Sequence, residues 1–265
     1  MLDADGIREH LNDPEAWEIH VTEEVSSTND AVLHLPPSVG RAHTVLFAET
    51  QTAGRGRRGN SWFSGPPGSN LLFSCLVHPP WPPAHWGRLT HVMALVLKRA
   101  IGDYPPANPL VKWPNDLYLG NRKVSGILVE TEMRGEVHAH AVIGVGINVN
   151  VGDDEIPADL RDQATSIRAA TRTWVDREIL AANILDGLTE VLLEPLETFP
   201  RVLEELKSSH YLIGKPIRAR LGESAVEGVA IDLGPEGELV IETPGGHREQ
   251  LSSVDEVRVI NQPRS

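Results

Sequence analysis

The chain is poor in cysteine, in basic charge and in long apolar runs, and each shortage excludes something. Cys75 is the only cysteine in 265 residues, so no disulfide can form within the chain, which fits a reducing cytoplasm. On an apolar run that thiol reads as a small buried residue and not as a nucleophile. No stretch reaches the roughly 18 apolar residues of a membrane-spanning helix. The opening Met1–Gly6 is acidic and lacks the apolar core of a secretory signal. Lysine and arginine number 24 against 37 acidic residues, a net charge of −13, which argues against general polyanion binding. Glycine and proline follow no period and no internal repeat is visible, so collagen-like, low-complexity and solenoid chains are excluded. What remains is enough apolar content (40%) for one large core and a small second module.

Against this acidic background one basic stretch stands out, Glu49-Thr-Gln-Thr-Ala-Gly-Arg-Gly-Arg-Arg-Gly-Asn-Ser-Trp-Phe63. Arg55, Arg57 and Arg58 alternate with Gly54, Gly56 and Gly59. Glycine lets backbone N–H groups approach a ligand closely, and arginine offers forked donors to carboxylate and phosphate. Apolar runs on both sides, Thr44–Ala48 and Leu71–Val77, read as strands, so the stretch is a loop carried by a sheet. Two readings are open to these residues: a site that holds and covers a small anion, or a short Arg-Gly nucleic-acid arm. The acidic chain and the short, strand-bounded loop favour the first. It is not a P-loop, because no Lys-Ser/Thr follows the glycines.

Elsewhere the chain alternates strand and helix signals. A short helix is predicted over residues 3–12 and a strand over Trp17–Val25. Ser26-Ser-Thr-Asn29 has N-capping chemistry for a helix, which also leaves hydroxyls and N–H groups free for a ligand. Strands are predicted at 43–49 and 70–78. Trp86, Leu89, Met93, Val96, Leu97, Ala100 and Ile101 fall at helical spacing. Val111-Lys-Trp-Pro-Asn-Asp-Leu117 breaks at Pro114, and Leu117–Leu119 with Lys123–Glu130 form a hairpin around Gly120-Asn121. The apolar Ile127–Val129 place Lys123 on a strand through the interior, where a lysine needs an anionic partner. Val137–Val151 is a strand containing Gly144-Val-Gly-Ile-Asn148. Helices follow at Thr165–Thr173, from Asp176, and to about Ser208. From Lys215 to Ile260 about five short alternating strands read as a small β-barrel.

Taken in order, Ser27-Thr-Asn29, Gln51–Gly59, Lys112-Trp-Pro-Asn-Asp116, Lys123-Val-Ser-Gly-Ile-Leu-Val-Glu130 and Gly144–Asn148 resemble the biotin protein ligases over about residues 17–260. The resemblance implies an α+β fold: a catalytic domain (1–213) like that of class II aminoacyl-tRNA synthetases, then a C-terminal SH3-like barrel (214–265). It implies ATP, biotin and Mg²⁺ as reactants, biotinyl-5′-AMP as the intermediate, and a lysine of the biotin carboxyl carrier protein of acetyl-CoA carboxylase or a related carboxylase as acceptor. By the same resemblance Ser27, Thr28, Asn29, Gln51, Arg55, Gly56, Arg57, Lys123 and Gly126 bind biotin. Arg57, Arg58, Trp62, Lys112, Asn115, Lys123 and Asn148 bind ATP or the adenylate. Lys123, Arg57 and Asp116 are the catalytic set, and the metal ligands stay unassigned. The closing strand Val254–Val259 diverges from the family pattern. Longer relatives carry an N-terminal DNA-binding domain; with about 16 residues before the match, a ligase without repressor activity, DNA or membrane partner is expected, and a homodimer is allowed. The nearest rival is a lipoate–protein ligase, which would lack the Arg-rich glycine loop in this form.

Overall fold

The computed structural model describes residues 1–35, 43–132 and 140–260. Seven strands build the main sheet: β1 (Trp17–Val25), β2 (His43–Gln51), β3 (Asn70–Val77), β4 (Pro109–Lys112), β5 (Asp116–Leu119), β6 (Arg122–Glu132) and β7 (His140–Asn148). Their order is β1-β2-β3-β7-β6-β5-β4, with β1 parallel to β2 and every other pair antiparallel. The observed spans match the predicted strands closely; of the strand expected over 137–151, residues 137–139 lie outside those described.

The two faces of the sheet differ because side chains alternate along a strand. On β3, Leu71, Phe73, Cys75 and Val77 enter the main core, whereas Ser74 turns to the opposite face. Six helices accompany the sheet: α1 (Ala4–Glu9), α2 (Thr28–Val32), α3 (Leu89–Gly102), α4 (Ile167–Thr171), α5 (Arg177–Leu193) and α6 (Phe199–Lys207). The apolar stripe of α3, from Leu89 through Ile101, is buried against the core face together with α5, each large aliphatic side chain contributing about 2 kcal/mol. Asp176 caps α5 as expected, its carboxylate accepting from the Glu178 and Ile179 N–H groups. Of the helices described, α2 alone lies on the other face, where Val32 packs with Leu46 and Val142. That face is otherwise left for the cleft described below. Cys75 is buried, and burial pushes its thiol pKa up, which leaves it inert.

A buried ion pair ties the base of the basic loop to α5. Glu49 on β2 and Arg177 are 5% and 10% exposed and 2.8 Å apart. Glu49 also accepts from Leu2 N at 2.6 Å and Gly68 N at 2.8 Å, and Arg177 donates to Asn70 O at 2.9 Å. Burial alone would raise the Glu49 pKa, but Arg177 and the two N–H groups outweigh it and hold the carboxyl below its ordinary 4.5. A depressed carboxylate stabilises the fold above its unfolded value and loses that contribution as pH falls through the folded value. Glu49→Gln is therefore expected to cost about 3 kcal/mol at pH 7, a gap from wild type that narrows on acidification below 4.5. Urea unfolding at neutral and acid pH measures it, and equal stability at pH 7 would show the pair to contribute nothing.

The C-terminal strands β8 (Pro216–Leu221), β9 (Ser224–Leu233), β10 (Leu239–Glu242), β11 (Arg248–Leu251) and β12 (Glu256–Val259) form an antiparallel sheet of order β11-β10-β9-β8-β12, the SH3-like module expected. It is anchored to the main sheet at one carbonyl: Trp113 Nε1 and His91 Nε2 each lie 3.0 Å from Gly237 O. Burial lowers the His91 pKa to about 4, so the ring is neutral and its Nε2–H donates. Arg88 adds an ion pair to Glu236. This seam brings β8 and the segment before β12 to the rim of the main sheet's open face.

Candidate active site

The open face holds a cleft of about 760 Å³ between α2, the basic loop, β5–β7 and the barrel. Its floor exists because glycine occupies three registered positions. Ser74, Gly144 and Leu128 lie side by side across β3, β7 and β6; Leu72, Gly146, Gly126 and Asp116 form the next row. A Cβ on Gly144 would run into the Asn29 carboxamide, and one on Gly146 into the Trp62 indole. Side chains there would fill the trough, so the glycines serve close approach and not backbone bending.

At one end of the trough the entry to α2 supplies polar groups. Ser27, Thr28 and Asn29 are 3–4% exposed. Ser27 sits at the N-cap without a side-chain capping bond, so the hydroxyl is not spent on the helix. Gln51 Oε1 accepts from Thr28 N at 2.8 Å and Thr28 Oγ1 at 3.1 Å. Ser74 Oγ lies 2.7 Å from Thr28 Oγ1 and 2.6 Å from Asn29 Oδ1. The result is a fixed cluster of donors and acceptors in a buried setting, suited to a small, neutral, doubly hydrogen-bonding group.

The basic loop folds back on itself. Gly56 N donates to Asn60 O at 2.7 Å and Trp62 N to Gly54 O at 2.9 Å. Its three arginines diverge. Arg55 is neutralised by Glu130 (2.8 Å) and Asp30 (2.7 Å). Arg58, held in the left-handed region at φ 56°, is not among the residues lining the cleft; it pairs with Asp255 on the cleft's far wall and donates to Ser253 Oγ at 3.1 Å. That conformation costs about 1 kcal/mol for a non-glycine residue, and the barrel contact compensates it. Arg57 lines the cleft, and among the described residues no hydrogen bond or ion pair engages its guanidinium. Burial and the neighbouring Arg58 lower its pKa, with Asp116 and Asp255 acting in the other direction. It is a partly desolvated cation with capacity for an anion.

Beyond the glycine floor lies the second charged group. Lys123 Nζ is 2.6 Å from Asp116 Oδ1, and the two side chains are 31% and 20% exposed. The lysine is thus not interior, as its apolar neighbours suggested. The bulge between Leu117 and Tyr118 and the bridge from Lys123 to Ala164 bring it out onto the cleft, while the expected anionic partner is there. The pair is close yet not aligned as a hydrogen bond, so the ammonium retains donors. Its Nζ also lies 5.3 Å above the Trp62 ring, and the Trp62 indole N–H is buried without a hydrogen-bond partner among the described residues.

Of the residues singled out from the sequence, Ser27, Thr28, Asn29, Gln51, Arg55, Gly56, Arg57, Trp62, Lys112, Asn115, Asp116, Lys123, Gly126 and Asn148 all line this one cleft. Arg58 does not. Three of the set are already engaged within the protein. Lys112 donates to the Tyr118 hydroxyl at 3.0 Å, Asn115 to Ile127 O at 2.7 Å and Asn148 to Thr165 O at 2.9 Å, so each also shapes the wall. Sequence reasoning missed Ser74, Asp30 and Glu130, and it missed the far wall formed by Leu160, Gln163, Ala164, Arg220 and the 254–258 segment. Glu130 closed a quoted motif and could have been found; the far wall carries no local signal, because it is assembled by the seam.

Two family models match the chain: the biotin/lipoate A/B protein ligase family over residues 21–148 and the biotin protein ligase C-terminal domain over 212–255. The bifunctional ligase/repressor BirA of Salmonella typhimurium is 32% identical over 92% of this chain and 75% of its own length. The biotin–[acetyl-CoA-carboxylase] ligase of Paracoccus denitrificans is 31% identical over 84% and 93%. Among solved structures, the biotin protein ligase from Aquifex aeolicus in complex with biotin and ATP superposes with a TM-score of 0.77 at 29% identity, covering 91% of this chain and 99% of that one. The first family model alone spans biotin and lipoate enzymes; the C-terminal match and the relatives separate them. With its glycine-floored cleft and its barrel, the chain belongs to the biotin protein ligase family.

Proposed function

We propose that this chain joins biotin to ATP as biotinyl-5′-AMP and passes the biotinyl group to a lysine of a biotin carboxyl carrier protein of acetyl-CoA carboxylase or a related carboxylase. The observation that carries this reading is the order of groups along one trough: the neutral polar cluster of Ser27–Asn29 and Gln51, then the bare floor at Gly126, Gly144 and Gly146, then the cations Lys123 and Arg57. That order suits a molecule with a ureido ring, an apolar body and a carboxylate.

In the first step a carboxylate oxygen attacks the α-phosphorus and pyrophosphate leaves. Two anions must meet, so cations between them lower the barrier. Lys123 is assigned to the biotin carboxylate and α-phosphate, and Arg57 to the phosphate from the loop. Arg55 and Gly56 cover the ring end, Trp62 covers the product, and Lys112, Asn115 and Asn148 line the nucleotide end. Arg58 acts from the barrel side by holding the loop. Mg²⁺ enters with the nucleotide: among the described residues no group of three or more acidic, histidine or cysteine side chains could hold it, and Mg²⁺ commonly binds through phosphates with few protein ligands. In the second step the acceptor amine attacks the acyl carbon, an amide forms and AMP leaves. Asp116, beside Lys123, is assigned to receive the acceptor ammonium and orient it.

A break at Gly214, in the left-handed region at φ 82°, supports a catalytic domain over 1–213 and a barrel over 214–265. The net charge of −13 weighs against DNA as a partner. No helix among the described residues is long and apolar enough to cross a membrane; a cytoplasmic location is proposed from the family reading. Sedimentation with and without biotin and ATP tests for a homodimer.

Titration with biotin, then with MgATP while pyrophosphate is followed, tests the whole reading. Saturable biotin binding and one pyrophosphate per site are expected; release with lipoate and none with biotin would replace the reading by the rival ligase. Arg57→Ala is expected to weaken cover of the adenylate, so that labelling of bystander amines rises about tenfold, as loss of a closing contact does. Labelling confined to the carrier lysine in that variant would remove Arg57 from the lid.

A further inference from the structure

Glu130 sits at the edge of this site with no role in the reaction just described, yet it touches two of its members at once. It lies on β6 on the same face as Gly126 and Leu128. Its Oε2 accepts from Asn29 Nδ2 at 2.7 Å and from Arg55 Nη2 at 2.8 Å; its Oε1 accepts from Arg55 Nη1 at 3.1 Å. An ionised carboxylate only accepts hydrogen bonds, whereas a carboxamide has one donating and one accepting end. Asn29 must therefore turn its nitrogen to Glu130. Its oxygen is left facing Ser74 Oγ at 2.6 Å, over the floor where a Cβ on Gly144 would meet it. Asn29 Nδ2 also lies 3.4 Å from Leu128 O, a longer and weaker contact than the 2.7 Å bond to Glu130, so Glu130 is the stronger of the two groups that hold the amide against a flip that would put a donor over the floor.

We propose that Glu130 is the positioning residue that sets the Asn29 carboxamide with its oxygen toward the floor, so that the site presents an acceptor to a ligand N–H, and that it holds Arg55 at the mouth of the same pocket. The proposal rests on the reading of the cleft as a biotin site, since a ureido group carries two N–H donors beside one carbonyl. The ion pair with Arg55 is about 40% exposed on both sides, and such pairs contribute little to stability. The effect should thus fall on ligand recognition and not on folding.

The test is a swap of donor and acceptor between the two positions. Asn29→Asp alone sets two carboxylates together and is expected to weaken biotin binding about thirtyfold, of the order seen when a like-charge pair faces a ligand. Glu130→Gln alone leaves only the long Leu128 O contact to hold the amide and should raise KM for biotin about tenfold, the size of one lost hydrogen bond to a fixed partner, with KM for ATP and kcat unchanged. The double variant Asn29→Asp, Glu130→Gln restores a donor facing an acceptor and leaves an oxygen over the floor, so most of the thirtyfold loss should return. Arg55→Gln, measured alongside, isolates the Arg55 arm. A double variant no better than Asn29→Asp, with melting temperatures equal to wild type, would overturn the proposal. So would Glu130→Gln with an unchanged KM for biotin. If the wild-type chain binds no biotin at all, the functional reading has failed before this inference is reached.

Discussion

Lys123→Ala should slow pyrophosphate release with saturating biotin and MgATP by about 10³-fold, the upper range for losing one group aimed at developing charge. The argument is electrostatic. A carboxylate approaching an α-phosphate meets like charge, and several of the cations lining the cleft, Arg55, Arg220 and Arg258 among them, are already paired with carboxylates of the protein. Two of the three loop arginines are already satisfied by carboxylates, Arg55 by Glu130 and Asp30 and Arg58 by Asp255. That leaves Lys123 and Arg57 among the cations that face the trough with spare capacity. Lys123 is itself paired with Asp116, but the contact is misaligned and partly exposed, so a substrate carboxylate can compete for the ammonium. The fold should survive, because the lysine is 31% exposed and its backbone remains tied by the 2.7 Å bond from its N–H to Gln163 O and the 2.9 Å bond from Thr165 N to its carbonyl. Single-turnover pyrophosphate release alongside a thermal melt separates the two effects. A rate within tenfold of wild type in a folded variant would take Lys123 out of the first step.

Gly146→Val carries the next largest effect and makes the opposite separation. Valine suits a strand interior better than glycine, so the backbone should be unharmed or gain up to about 1 kcal/mol. Its side chain, however, would rise from the middle of the trough into the space of the Trp62 indole. The neighbouring row gives no relief: Gly126 already has Lys123 Nζ and the Trp62 ring at 3.0 Å from where its own Cβ would stand. Biotin binding is expected to weaken by up to about 100-fold, since overpacking a fitted site costs roughly 1–3 kcal/mol, and the Trp62 cover is displaced as well. Calorimetric titration reads it, and a valine variant that melts like wild type yet binds biotin normally would mean that the ligand does not lie on this floor.

Much of this fold is written locally. The strands from Trp17, His43 and Asn70 and the hairpin around Gly120 follow from apolar runs bounded by turn residues. The helices from Leu89 and Arg177 follow from periodicity, the second with its Asp176 cap. The site residues were legible for a different reason: glycine, arginine and paired polar residues at those spacings have few other uses, and their order along the chain resembles one family. Lys123 shows the limit of that legibility. Its apolar neighbours describe an interior strand, and they are interior, but a one-residue bulge in the pairing with β5 brings the lysine to the cleft.

The sequence by itself therefore determined the class of fold, the two modules, the basic loop and the motif-borne residues on one side of the cleft, because each rests on local propensity or on the chemistry of a short motif. Only the tertiary structure assigned the charges to their partners. Arg58 was expected beside phosphate and instead clasps Asp255, 197 positions along the chain. Glu130 reaches Asn29 because β6 and the α2 entry meet over the same face of the sheet, with Gly144 between them. Such pairings depend on register and on the packing of the barrel against the main sheet, and strand pairing between distant segments leaves no imprint on either segment read alone.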